Sequence, residues 1–147
     1  MTVHEFPHHY QISAEAKSEG DIILSSHGLP SLLSAPPAQF GGPGDRWSPE
    51  DLLVAAIADC FVLTFRAIAS ASKFSWQGLA CTVEGKLDRV ERVTQFTRFE
   101  INATLTLGPD VDAEKARRLL EKAESNCLIS NSLRASCHLT SEVVIQP

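Results

Sequence analysis

The segment from Ser48 to about Ser72 is the feature that most constrains the fold of this chain. It opens with Ser-Pro-Glu-Asp, in which Ser48 can cap a helix and Pro49 suits the first helical position, while the two carboxylates favour the positive end of the helix dipole. The residues that follow are apolar on almost every side of the predicted helix, and a helix that is apolar all round is buried all round. Because one small sheet cannot cover it, we expect a second subunit to pack against it. The main interruptions of the apolar run are Asp59, Cys60, Thr64 and Arg66.

Length and charge bound the number of domains and the class of partner. The chain has 147 residues, 44% of them hydrophobic, which is the size of one ordinary domain with a real core. We therefore predict a single domain over residues 1–147. The net charge is −5, and no basic run is longer than Arg117-Arg118. Nucleic acid and anionic membrane surfaces are accordingly poor partners.

The start of the chain and its longest apolar run bear on localisation. The first residues, MTVHEFPHHY, lack a basic stretch followed by an apolar one, so they do not resemble a secretory signal. Asp59 and Arg66 interrupt the longest apolar run, and a membrane span needs roughly 20 apolar residues without charge. We expect a cytoplasmic protein with no membrane-spanning segment.

The remaining patterns predict an α+β domain with helices packed on a sheet. Residues 8–24 alternate around a turn and predict a hairpin, whereas residues 28–46 are rich in proline and glycine and predict a long irregular loop. Two alternating strands are expected over about 79–87 and 99–107. A second helix should begin at Asp112, and the chain should close on a strand over about 138–145.

The four cysteines, at positions 60, 81, 127 and 137, show neither a disulfide framework nor zinc-site spacing. Cys60 is either a small hydrophobe in a helical core or a thiol held in a dry place for chemistry. Cys127 continues the apolar stripe of its helix, but the polar residues after it would leave the thiol near a surface. Cys81 alternates with apolar neighbours and should lie in the core. Cys137 is assigned no role.

Two segments carry a resemblance to a known family. Residues 48–61, SPEDLLVAAIADCF, resemble the helix motif N-P-E-x-L-x-A-A-x-x-A-C-F of the osmotically inducible protein C and organic hydroperoxide resistance (OsmC/Ohr) family. Residues 123–131, AESNCLISN, are similar to that family's second motif, in which a cysteine is followed by two residues and then Ser-Asn. Both motifs occur in the expected order and on predicted helices.

The resemblance implies an OsmC-like fold with an antiparallel-rich sheet, a long central helix and a second helix, in an intertwined homodimer with active sites at the subunit interface. It also implies a peroxidase that reduces organic hydroperoxides without a metal or flavin. Cys60 would be the peroxidatic residue, which becomes a sulfenic acid, and Cys127 the resolving residue, which forms a disulfide with it. An external dithiol, for example of the lipoyl type, would then reduce the disulfide.

The resemblance further implies a cation beside Cys60, because burial among apolar neighbours raises the pKa of a thiol. In the family this cation is an N-terminal arginine held by the glutamate of the Pro-Glu motif, which here is Glu50. No arginine occurs between positions 13 and 40, where Lys17 is the one basic residue other than histidine. Arg46 is the best substitute, ahead of Arg66.

Arg46 and Asp59 each allow a second interpretation of the predicted site. Arg46 has an alternative interpretation as a solvated loop arginine stacked on Trp47. Asp59, next to Cys60, would hinder thiolate formation if it turned inward. The alternative function is therefore a non-catalytic OsmC-like protein that binds a small hydrophobic ligand at the interface.

Helix geometry adds a constraint on the predicted site. Glu50 and Cys60 are ten residues apart. At 1.5 Å per residue this separation is roughly 15 Å along a straight helix. If both belong to one site, the glutamate must come from elsewhere, most simply from an antiparallel copy of the helix across a two-fold axis. The sequence therefore predicts a dimer on this ground as well.

Overall fold

A computed structural model describes residues 3–147, which form two compact units. One unit ends at Leu52 and the other runs from Leu53 to Pro147. The boundary falls within the first long helix. The single domain expected over residues 1–147 stays a prediction.

The unit that ends at Leu52 contains a small antiparallel sheet of three strands in the order β1-β2-β3. These are β1 (Ser13–Glu15), β2 (Ile22–Ser25) and β3 (Leu32–Ser34). The first two form the predicted hairpin. The third corrects the expectation that residues 28–46 are irregular throughout, because the prolines of this stretch flank β3 and do not interrupt its pairing with β2.

The long helix α1 (Pro49–Ala71) begins where its sequence predicts. The Ser48 hydroxyl accepts a hydrogen bond from the backbone N–H of Asp51 at 3.0 Å and donates one to Asp51 Oδ2 at 2.8 Å. Asp51 Oδ2 also accepts from the backbone N–H of Ser48 at 3.2 Å. This reciprocal arrangement satisfies the free N–H groups of the first turn and fixes where the helix starts.

By length and composition alone, α1 would qualify as a membrane-spanning helix. An 18-residue window of it has a mean hydropathy of 2.1, although only 22% of that window is buried. This departs from the expectation that Asp59 and Arg66 disqualify the segment, because two charges do not lower the average enough. Core helices of soluble proteins pass the same test, so the absence of a membrane contact stays a prediction.

The second unit contains a mixed sheet of three strands in the order β4-β5-β6. The strands β4 (Gly78–Val90) and β5 (Val93–Leu107) form an antiparallel hairpin with an irregularity between Lys86 and Leu87. The last strand, β6 (Ser136–Ile145), pairs in parallel with β5. Both hairpin strands are longer than the alternation of their apolar residues predicts, because pairing continues past the buried part of the sheet.

Two helices connect β5 to β6. The helix α2 (Ala113–Ser125) is capped by Asp112, whose side chain accepts hydrogen bonds from the backbone N–H groups of Glu114 and Lys115. A single turn, α3 (Leu128–Asn131), follows it. The core lies where α1 and α2 cover one face of the sheet. Its buried residues include Ile57, Phe61, Phe65 and Ala69 from α1, Phe99, Ile101, Ala103, Leu105 and Leu107 from β5, and Ala116, Leu119, Leu120 and Ala123 from α2.

One glycine permits close packing between α1 and the sheet. Gly85 on β4 pairs with Phe99 on β5. A Cβ atom at Gly85 would lie 2.9 Å from ring atoms of both Phe96 and Phe99 and 3.0 Å from Cγ2 of Val54. These distances are shorter than van der Waals contact, so any side chain here must displace a core ring.

We predict that Gly85→Ala lowers the free energy of unfolding by about 1–3 kcal/mol, because overpacking forces rings off their preferred positions. Urea titration followed by circular dichroism measures the change. Gly78→Ala is the matched control on the same strand, since a Cβ there meets nothing within 4 Å. Equal stability of the two variants would contradict the packing argument.

Candidate active site

Cys60 lies in the middle of α1 and lines an open pocket in the Leu53–Pro147 unit. The pocket has a volume of about 630 Å³, and its walls come from α1, the end of α2 and the start of α3. Most of the lining side chains are apolar, among them Leu63, Leu128 and Ile129. The pocket therefore offers a thiol to a molecule with an alkyl group.

The packing of α1 sets the direction of the Cys60 side chain. Ile57, Phe61 and Phe65 recur every four residues and are fully buried against the sheet. Consecutive residues of a helix point about 100° apart, so Cys60 is turned from the sheet towards the flank of α1. There it is half-buried and meets the segment that joins α2 to α3.

Hydrogen bonds around the Cys60 sulfur favour its ionised form. Burial raises the pKa of the Cys60 thiol, but hydrogen bonds from the Ile129 N–H, the Cys127 thiol, the Thr64 hydroxyl and the Leu128 N–H outweigh it, so the pKa is lowered. The distance from Thr64 Oγ1 to Cys60 Sγ is 3.8 Å. Within residues 3–147 all of these partners are uncharged.

The segment around Cys127 is shaped by its Ser-Asn residues. Cys127 is extended, with φ −67° and ψ 108°, so α3 turns away from the axis of α2. The Ser130 hydroxyl donates to the backbone carbonyl of Cys127 at 3.2 Å, and the Asn131 side-chain amide donates to the carbonyl of Ser125 at 3.1 Å. These bonds hold the turn that places Leu128 and Ile129 in the wall of the Cys60 pocket.

Cys127 differs from Cys60 in both accessibility and acidity. Its side chain is fully buried, and its thiol is near enough to Cys60 to help lower the pKa of that residue. Burial raises the pKa of the Cys127 thiol, and the hydrogen bonds from Ser130 do not offset this. Both thiols are free. A partly accessible thiol with a lowered pKa therefore lies near an enclosed thiol with a raised pKa.

Cys81 and Cys137 lie on the sheet, on β4 and β6. Cys81 pairs with Ala103 across the β4–β5 ladder and packs against the core, as its alternation predicts. Burial, with a smaller effect of Cys127, raises the pKa of Cys81 to about 11. Burial also raises the pKa of Cys137 on β6. Neither thiol is ionised near neutral pH.

Arg46 and Glu50 belong to the unit that ends at Leu52, whereas the residues that line the pocket all come from the other unit. Arg46 forms ion pairs with Asp21 at 3.1 Å and with Asp45 at 3.7 Å. The predicted stacking of Arg46 on Trp47 is not among the aromatic and cation–π contacts of residues 3–147. Glu50 Oε1 is buried and has no hydrogen-bond partner within the described part of the chain.

The remaining cation candidates lie at the surface. Lys17 and Arg66 are both exposed, and among the described residues neither takes part in an ion pair. The charged side chains that do line the Cys60 pocket are Asp59 and Lys122. Lys122 is not among the site residues that the sequence predicts. The signal that could have found it is its spacing of one helical turn from Asn126, the residue before Cys127.

The described residues show no group that could hold a metal ion. In residues 3–147 no three His, Cys, Asp or Glu side chains come together in a metal-binding arrangement. The site consists of two thiols, their hydrogen-bond donors and a largely apolar pocket.

Comparisons with known proteins agree with the predicted fold and family. Residues 42–142 match the family model for OsmC-like protein. The chain is 29% identical over 130 residues to the organic hydroperoxide resistance protein of Xanthomonas axonopodis pv. citri, which covers 87% of this chain and 88% of the relative. It is 26% identical over 145 residues to the peroxiredoxin OsmC of Escherichia coli, with 95% and 96% covered.

A solved structure shows the same fold. The crystal structure of an organic hydroperoxide resistance protein from Elizabethkingia anophelis superposes with a TM-score of 0.74 at 24% identity, over 96% of this chain and 100% of that one. The α+β fold and the family inferred from the two cysteine motifs are confirmed. With the family model matching residues 42–142, the chain belongs to the OsmC-like protein family.

Proposed function

We propose that this protein is a thiol-dependent peroxidase that reduces organic hydroperoxides through Cys60 and Cys127. The observation that supports this most strongly is the place of Cys60 in an apolar pocket whose wall includes Asn126 and Leu128, the two chain neighbours of Cys127. One thiol has a lowered pKa and opens into an apolar pocket, and the other is buried with a raised pKa. A peroxidatic thiol must be ionised and reachable, whereas a resolving thiol should be sheltered from the oxidant.

The reaction proceeds in three balanced steps. The Cys60 thiolate attacks the terminal oxygen of the hydroperoxide, the O–O bond breaks, and an alcohol leaves once its oxygen takes up a proton. Cys60 is then a sulfenic acid. The Cys127 sulfur attacks the Cys60 sulfur, water leaves, and a Cys60–Cys127 disulfide forms. An external dithiol, for example of the lipoyl type, reduces this disulfide and is itself oxidised.

The pocket suits the organic part of such a substrate. Its volume of about 630 Å³ lies within the range of roughly 300–1,000 Å³ that is usual for small-molecule sites. Leu63 and Ile68 of α1 line it together with Leu128 and Ile129. Apolar walls bind the alkyl group and lower the local water content around the O–O bond.

A homodimer would complete the site. Leu63 on α1 is 50% exposed, and only 22% of the most apolar window of the helix is buried in one chain. A buried carboxylate oxygen without a partner is costly, and Glu50 Oε1 is one. We propose that an antiparallel copy of α1 covers this surface and brings Glu50 to the Cys60 site of its partner.

Arg46 takes a secondary place in the proposed mechanism. It would have to leave Asp21 and Asp45 before it could stabilise the thiolate. The neutral donors around Cys60 already lower its pKa. We place the protein in the cytoplasm, because that compartment keeps both thiols reduced between cycles.

A second function has one observation in its favour. Asp59 lines the pocket beside Cys60, and a carboxylate there disfavours a neighbouring thiolate. Such a pocket could bind a small hydrophobic ligand without reaction. The two functions are separated by the acidity and the redox activity of Cys60.

We predict that iodoacetamide at neutral pH alkylates Cys60 before the other three cysteines. The pKa of Cys60 is lowered and those of Cys81, Cys127 and Cys137 are raised, so the Cys60 thiolate persists to lower pH. Peptide mass spectrometry over a time course gives the order of labelling. Labelling of Cys60 that needs alkaline pH would favour the binding function.

We predict that Cys60→Ser reduces the consumption of tert-butyl hydroperoxide, with a dithiol present, to the uncatalysed rate. Cys81→Ser, the matched control in the core, should retain activity. In Cys127→Ser, peroxide treatment should leave Cys60 as a sulfenic or more oxidised acid, seen as added oxygen mass. Equal rates for the wild type and Cys60→Ser would rule out the peroxidase.

We predict that the wild type sediments as a dimer at micromolar concentration and that Leu63→Glu shifts it towards monomer. A charge on the exposed apolar face of α1 would be buried without a partner in the dimer. Val93→Glu is the control, because Val93 is similarly exposed, at 52%, but starts β5. A monomeric wild type would contradict the shared site.

A further inference from the structure

Thr64 approaches the reacting sulfur from within the same helix. It lies one turn after Cys60 on α1, with its Oγ1 3.8 Å from Cys60 Sγ, and both residues line the same pocket. A threonine in a helix commonly bonds to the backbone carbonyl four residues earlier. Within residues 3–147, the Thr64 hydroxyl instead forms its side-chain hydrogen bond with the sulfur of Cys60, four residues earlier.

The direction of this hydrogen bond depends on the charge of Cys60. With a neutral thiol, either group can be the donor. A thiolate can only accept, so the hydroxyl must donate to it, and the bond is stronger because the acceptor is charged. The contact therefore stabilises the ionised form more than the neutral form.

Among the side chains around the Cys60 sulfur, a neutral donor that keeps its proton through the reaction is still needed. The charged side chains that face the pocket are Asp59 from α1 and Lys122 from α2, and the titratable neighbour from the segment before α3 is Cys127. Cys127 must give up its thiol proton to form the disulfide, so it cannot remain a donor through the cycle. The Thr64 hydroxyl is not consumed.

We propose that Thr64 is a further catalytic residue, whose hydroxyl donates to the Cys60 sulfur and holds it as the attacking thiolate. This inference rests on the proposed peroxidase function. It assigns to a neutral side chain of the same subunit part of the role that the family resemblance implies for a cation.

Three variants test the proposal. Thr64→Val removes the hydroxyl and keeps the branched shape, Thr64→Ser keeps the hydroxyl, and Thr82→Val makes the same change at an exposed position of β4. The alkylation rate of Cys60 is followed against pH by peptide mass spectrometry. The rate of Cys60 oxidation by a single equivalent of tert-butyl hydroperoxide is measured in parallel.

We expect Thr64→Val to slow the alkylation of Cys60 about three- to tenfold on the acidic side of its titration, which is the size of effect typical for the loss of one ordinary hydrogen bond. The rates should converge with the wild type at high pH, where the thiolate is complete in both. The oxidation rate should fall by a similar factor. Thr64→Ser should restore both, and Thr82→Val should match the wild type.

The opposite result separates this proposal from the proposed function. Suppose that the wild type is an active peroxidase and that Cys60 in Thr64→Val titrates at the same pH and reacts at the same rate as in the wild type. Thr64 then has no catalytic role. If the wild type consumes no peroxide but Thr64→Val still titrates at higher pH, the peroxidase fails while the hydrogen bond stands. Should Thr64→Val fail to fold, Thr64→Ala with Thr64→Ser as its partner gives the same comparison.

Discussion

The rotational setting of α1 on the sheet is the constraint on which the rest of the site depends. Ile57, Phe61, Phe65 and Ala69 are all fully buried, and their spacing of four residues locks one face of the helix onto β5. Cys60 precedes one of these rings, so its direction follows from their packing. A change of core side chains that rotated α1 by a fraction of a turn would move the sulfur away from the Leu128 and Ile129 amides.

The break between α2 and α3 supplies the second half of the site. In a continuous helix, the N–H groups of Leu128 and Ile129 would donate to carbonyls of the preceding turn. The extended conformation of Cys127 frees them, and the polar residues of α3 stabilise the turn that results. The same local geometry thus encloses the Cys127 sulfur, where burial raises its pKa, and brings Leu128 and Ile129 to the pocket that Cys60 lines.

Much of the fold could be predicted from the sequence because the signals are local. The cap at Ser48, the alternation in β5 and the start of α2 at Asp112 each depend on a few neighbouring residues. The strand β3 could not be predicted in this way. Its three residues lie among prolines and glycines and form a strand because they pair with β2. Pairing with a distant strand leaves no periodic pattern.

In the candidate site, too, some residues carry a local sequence signal and others do not. The two cysteines stood out by motif, but the partners of Cys60 did not. Backbone amides carry no sequence mark, and Thr64 looks like an ordinary interruption of an apolar helix. The sequence favours Arg46 as the cation, yet Arg46 pairs with Asp21, 25 residues earlier, a contact that no local pattern encodes.

The incomplete covering of α1 has a consequence for the life of the chain before assembly. In a newly made copy, the outer face of the apolar helix α1 would be exposed to solvent. Such surfaces associate nonspecifically with other proteins when the specific partner is scarce or binds slowly. If a second copy is what covers it, thermal resistance would rise with total protein. Abundance itself would then act as a stabilising factor, and low expression would favour degradation.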